Sequence, residues 1–171
     1  NIGGGFPGFD TNELTFKNIA YHLNIYLDKL FPEKDNIEII AEPGRYFATN
    51  THTLITQVHS VRYSKDNQLV YVNDSCYGFF NNIIFDYQNV NPTLIFNPTN
   101  CKYNQQNPQN LNTTIFGQTC DSIDCINKNI ILPKISINDF IYFNNMGAYT
   151  YSAMSNFNGF KSPTCYYIFS N

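Results

Sequence analysis

A single change of hydrophobic period, close to Arg45, divides this 171-residue chain into two kinds of structure. Before it, Phe16, Ile19, Ala20, Leu23, Leu27 and Leu30 recur every three or four positions, and Pro32 lacks the amide needed to continue a helix. That spacing predicts an amphipathic helix over residues 11–31 whose apolar stripe is core. Residues 37–41, IEIIA, are a short apolar run of the kind that forms a buried strand. Beyond Arg45 the pattern becomes strand and turn, with candidate strands at 51–62, 69–73, 83–85, 93–96, 113–116, 130–132, 139–143 and 164–169. The Asn/Gln/Pro-rich stretch 97–112 reads as a surface loop. The expected fold is α/β plus β, with a boundary near residue 50: one domain over residues 1–50 and a β domain over 51–171.

Charge excludes several functions. A formal net charge of −3 and a pI near 5.5, without basic runs or arginine-rich patches, give no footprint for nucleic acid or for an anionic membrane. No apolar run approaches membrane-spanning length. The cysteines Cys76, Cys101, Cys120, Cys125 and Cys165 are odd in number and lack CxxC spacing. They suit a reducing, cytoplasmic setting better than a disulfide framework, and they do not suggest a metal site.

Three stretches carry candidate chemistry. Gly3, Gly4 and Gly5, followed by Phe6-Pro7-Gly8, make a loop whose bare backbone can approach an oxygen-rich ligand and offer amides to a phosphate; a plain connecting loop is the alternative. Glu42, in Glu42-Pro43-Gly44-Arg45, follows the candidate strand 37–41, a strand end at which a carboxylate can meet a ligand. A surface Glu–Arg pair would explain the same residues. Residues 116–124, FGQTCDSID, place the thiol of Cys120 beside the fixed charge of Asp121. That pairing is a soft nucleophile or proton donor next to an anion, or a polar turn holding a buried thiol.

Taken together and in order, NIGGGFPG at 1–8, AEPGRYF at 41–47, YVNDSCYGFFN at 71–81, GQTCDSID at 117–124 and NNMGAYTYSAMSNFNGF at 144–160 resemble the C-terminal part of the eukaryotic-type ornithine decarboxylase family. Those enzymes use pyridoxal phosphate on an alanine-racemase-like fold. The resemblance implies that the opening residues are the last strand and helix units of a (β/α)8 barrel, followed by a C-terminal β-sheet or β-barrel domain. It implies cofactor contacts at Gly3, Gly4, Gly5, Glu42, Gly44, Arg45 and Tyr149, with the Tyr149 hydroxyl on the phosphate. It places Phe85 and Asp86 at the far end of the substrate, where Phe85 replaces the more usual Tyr and the short Asp86 suits ornithine better than arginine.

The same resemblance gives Cys120 a role in protonating the decarboxylated product and Asp121 the substrate's distal amine. Both are delivered across a homodimer interface, so the active sites are shared. Asp124 is implied to support that interface, with a helix cap as the alternative, and Phe157 and Asn158 to line its end of the pocket. Gln118 stands where the family usually has Pro. The Schiff-base lysine and the histidine stacked on the cofactor ring are implied to lie upstream, so this portion alone is expected to be inactive. The expected reaction is decarboxylation of L-ornithine to putrescine. A lysine, arginine or diaminopimelate decarboxylase and a non-catalytic regulatory homologue are the alternatives.

Overall fold

The computed structural model describes residues 1–32, 36–95 and 109–169. They fall into two compact units: residues 1–52 with 145–148, and residues 53–144 with 149–169.

The first unit is built on α1 (Phe16–Leu30). Thr15, extended, accepts the Asn18 amide and caps its start, and the helix stops two residues before Pro32. Within this chain the apolar stripe expected to be core is left uncovered: no residue of α1 is buried, and Leu30 is 63% exposed. Nor is 37–41 a buried strand. Among the described residues no strand precedes residue 54, and Ile37, Ile39 and Ile40 are exposed. The segment is nevertheless fastened to the glycine loop. Ile2 donates its amide to Ile40 O (2.9 Å) and Glu42 to Gly3 O (2.8 Å), two bonds offset too far to start a ladder. A short helix, α2 (Gly44–Ala48), follows directly.

The second unit is a six-stranded mixed sheet of β1 (Leu54–Ser64), β2 (Asn67–Val72), β3 (Pro92–Ile95), β4 (Asn110–Phe116), β5 (Cys125–Pro133) and β6 (Phe140–Phe143). Its order is β3-β6-β1-β2-β4-β5, and β2–β4 is the parallel pair. β1 changes partner midway: residues 54–57 pair with β6, and after an irregularity between Val58 and Ser60 the strand continues along β2. Alternation of two sets the core face, burying Leu54, Thr56 and Val58 on β1, Val70 and Val72 on β2, and Ile141 and Phe143 on β6. Phe80 closes that core edge-on against Phe143, with ring centroids 4.8 Å apart. Buried Gln68 is satisfied: its amide donates to Thr113 Oγ1 (2.8 Å) and Pro133 O (2.9 Å), and its oxygen accepts the Ile135 amide.

Other expectations in this half are corrected. Residues 83–85 are not a strand but part of the short helix α3 (Asn81–Phe85), anchored by Asn81, whose side-chain amide donates to Gly78 O and Thr150 O. Residues 164–169 form no strand and are exposed, Ile168 at 92%. The polar stretch 97–112 is not loop to its end, because β4 starts at Asn110; residues 96–108, with Phe96 and Cys101, lie outside the described residues.

Candidate active site

Because β2 and β4 run parallel and adjacent, the loops that follow them, 73–80 and 117–124, emerge at the same end of the sheet. They are tied together at once. Gln118 donates its amide to Asp74 O (3.1 Å), and Cys76 donates its amide to Asp124 Oδ1 (2.8 Å). The other Asp124 oxygen receives the amide (2.9 Å) and hydroxyl (2.7 Å) of Thr119. Asp124 is 1% exposed, so its carboxylate is the post around which both loops wrap. Gly117 must be glycine here, since a Cβ would overlap that carboxylate. The helix-cap alternative for Asp124 fails, because strand β5 begins at the next residue.

On this frame stand Cys120, exposed, and Asp121, half-buried. Asp121 Oδ1 accepts the Ile123 amide (3.0 Å) and Oδ2 accepts the Tyr77 hydroxyl (2.5 Å). The Tyr77 hydroxyl first, and then the Ile123 amide, hold the Asp121 carboxyl below its ordinary range. The same hydrogen bond pushes Tyr77 up to about 12, so Tyr77 stays a proton donor and Asp121 an anion at neutral pH. A third segment completes the cluster. Ser155 donates its amide to Tyr77 O (2.9 Å), Phe157 stacks on the Tyr77 ring (4.1 Å between centroids), and Asn158 Nδ2 reaches Cys120 Sγ at 3.9 Å.

Four of the residues singled out from sequence, Cys120, Asp121, Phe157 and Asn158, therefore meet in one place, and Asp124 supports it from beneath. Tyr77, which organises the cluster, was not singled out; the available signal was an aromatic residue inside the polar turn Asp74-Ser75-Cys76-Tyr77-Gly78. Phe85 and Asp86 sit at the last position and C-cap of α3, Phe85 exposed and Asp86 half-buried. Tyr149 follows in the same unit with a left-handed backbone, φ 54°, and is not a sheet residue. Gly3, Gly4, Gly5, Glu42, Gly44 and Arg45 belong to the first unit. There Gly3 and Gly5 have positive φ, and a Cβ on Gly4 would stand 2.7 Å from Glu42 O, so this loop is usable only as bare backbone. Glu42 Oε1 accepts from the Asn1 side chain at 2.5 Å.

An exposed thiol, an ionised carboxylate and stacked aromatic rings on one rigid frame can receive a cation and move a proton beside it. The chain belongs to the pyridoxal-dependent decarboxylase family: residues 21–147 match the family's C-terminal sheet domain. It is 37% identical to ornithine decarboxylase of Cricetulus griseus over 99% of this chain and 38% of that protein. It is equally 37% identical to antizyme inhibitor 2 of Xenopus laevis, over 98% of this chain and 38% of that protein. Among solved structures it resembles the Paramecium bursaria Chlorella virus arginine decarboxylase, with a TM-score of 0.84 and 36% identity over 98% of this chain and 42% of that one. The chain thus spans about two fifths of the length of these relatives.

The family's cofactor is a pyridoxal ring carrying a phosphate, and the first unit has groups that fit it. Bare glycine backbone and the Arg45 guanidinium suit an oxyanion, and the Glu42 carboxylate suits a protonated ring nitrogen.

Proposed function

We propose that this chain serves as the C-terminal portion of a pyridoxal-phosphate-dependent decarboxylase that converts L-ornithine to putrescine. The cluster of Cys120, Asp121 and Tyr77 carries this reading. Residues 1–50 act as the closing part of a (β/α)8 barrel and 51–171 as its β domain. When bound, the cofactor supplies the electron sink that makes loss of the substrate carboxylate feasible.

The residues of this chain do the rest. The amides of Gly4 and Gly5, with Arg45 and the Tyr149 hydroxyl, hold the phosphate, Gly3 and Gly44 line it with amides already bonded to Asn1 Oδ1 (2.8 Å) and Glu42 O (2.8 Å), and Glu42 holds the ring nitrogen protonated. Asp121, anionic at neutral pH, binds the distal ammonium, with Asp86 and Phe85 at the same end of the substrate. Cys120 Sγ delivers a proton to the substrate's α-carbon. Cys120 and Asp121 serve the site of a second copy in a homodimer, with Asp124, Phe157 and Asn158 supporting that face. Ornithine is preferred to arginine because Asp86 is short. The sequence named for antizyme inhibitor 2 is as similar as the enzymes, but the intact thiol–carboxylate pair favours catalysis.

The test is Cys120→Ala in the full-length polypeptide. Turnover is expected to fall by about 10²-fold, or its product to change, at unaltered melting temperature. Unchanged kinetics would remove Cys120 from the reaction.

A further inference from the structure

We propose that Tyr77 is a positioning residue, whose hydroxyl fixes the Asp121 carboxylate in the orientation that receives the substrate's distal ammonium. The inference rests on the reading of Asp121 given above, and adds a residue to it.

The hydroxyl of Tyr77 works from a fixed origin. On one side Asp74 Oδ1 accepts the amides of Ser75 (2.7 Å) and Phe79 (3.1 Å), and on the other the Cys76 amide is held by Asp124. The Ser75 hydroxyl accepts the amides of Tyr77 (3.2 Å) and Gly78 (3.1 Å). The Tyr77 carbonyl accepts both the amide and the hydroxyl of Ser155, and its ring is covered by Phe157. Backbone, carbonyl and ring are therefore all tied down, leaving the hydroxyl as a rigid arm.

Asp121 is the opposite. It lies on a turn whose next two residues, Ser122 and Ile123, are exposed, and the Ile123 amide restrains only one of its oxygens. Without the 2.5 Å bond from Tyr77 the carboxylate would sample several rotamers, and that freedom would be lost on each binding event. With it, each oxygen has one internal donor and one acceptor site left for the ligand. A donor that stays protonated at neutral pH also favours the ionised form of its partner. The titratable groups facing this pair are Asp124, whose charge acts on Tyr77 in the sense that keeps its proton, and the Cys76 thiol, which burial keeps protonated at neutral pH.

The experiment compares wild-type, Tyr77→Phe and Asp121→Asn in the full-length polypeptide carrying its cofactor. Tyr77→Phe keeps the ring on Phe157 and removes the arm alone. The readouts are putrescine affinity by calorimetry and the pH profile of KM for ornithine. Tyr77→Phe is expected to weaken putrescine binding about ten-fold, to place its loss mainly in KM, and to shift the acidic limb of that profile to higher pH, with Asp121→Asn weaker still. Wild-type affinity in Tyr77→Phe, with Asp121→Asn impaired, would overturn the role of Tyr77 and leave that of Asp121 standing. Wild-type affinity in both variants would overturn the ammonium role of Asp121 and this inference with it. A loss of melting temperature with an unmoved pH profile would reduce Tyr77 to packing and equally refute the proposal.

Discussion

Replacing Asp74 by Asn should change how stability depends on pH. Asp74 Oδ1 accepts two backbone amides, while Oδ2 is buried with no hydrogen-bond partner among the described residues. Burial raises its carboxyl from the ordinary 3.8 to about 6, opposed by the Ser75 and Phe79 amides and assisted by the charge of Asp124. The folded state thus holds a proton that the unfolded state has released between those two values. The contribution of Asp74 to stability is greatest below 3.8, falls as pH rises through about 6, and is then level. The difference corresponds to about 3 kcal/mol in all, of which roughly 1.5 kcal/mol falls between pH 5 and 7.5. The substituted amide would keep both backbone contacts through its oxygen and titrate nothing. Its buried NH2 would add a pH-independent loss of about 1 kcal/mol. Urea unfolding of the full-length wild-type and variant proteins across pH 5–7.5 should show the variant gaining on wild type by about 1.5 kcal/mol toward the alkaline end. A pH-independent difference, or one of opposite slope, would refute a raised carboxyl at Asp74.

Asp124→Asn should destabilise the sheet unit by about 2–4 kcal/mol, because three donors converge on two carboxylate oxygens and an amide group can accept at only one of its ends. Gly117→Ala should mimic it, since the added Cβ meets that carboxylate; a wild-type melting temperature in either variant would contradict this wiring. Thiol alkylation under native conditions should modify exposed Cys120 and Cys165 well before Cys76, whose thiol burial pushes up to about 12; equal rates would contradict its enclosure.

The strands were legible where alternation puts one face in the core, as in β1, β2 and β4. They were not where a β-prone run finds no partner: residues 164–169 have suitable side chains, yet they are exposed, because strand preference reflects packing context. Three apolar residues at 83–85 could not distinguish strand from helix; the anchoring of Asn81 to Gly78 and Thr150 belongs to the tertiary structure. The polar core pair Gln68 and Thr113 was invisible for the same reason, since each residue is acceptable inside only opposite the other. In the site, Cys120 and Asp121 stood out as neighbours in sequence. Tyr77 lies 44 residues from Asp121 and reaches it through the parallel pairing of β2 with β4, a connection that no local pattern encodes.

The most direct measurement is carbon dioxide release by the full-length polypeptide with added pyridoxal phosphate, offered ornithine, lysine, arginine and diaminopimelate in parallel. Release from ornithine at least about ten-fold more efficient than from the other three is the predicted result, the size expected when one methylene or a changed head group is misplaced at a carboxylate. Preferential release from another substrate would contradict the role given to Asp86 and Asp121, and silence with all four despite bound cofactor would contradict catalysis altogether.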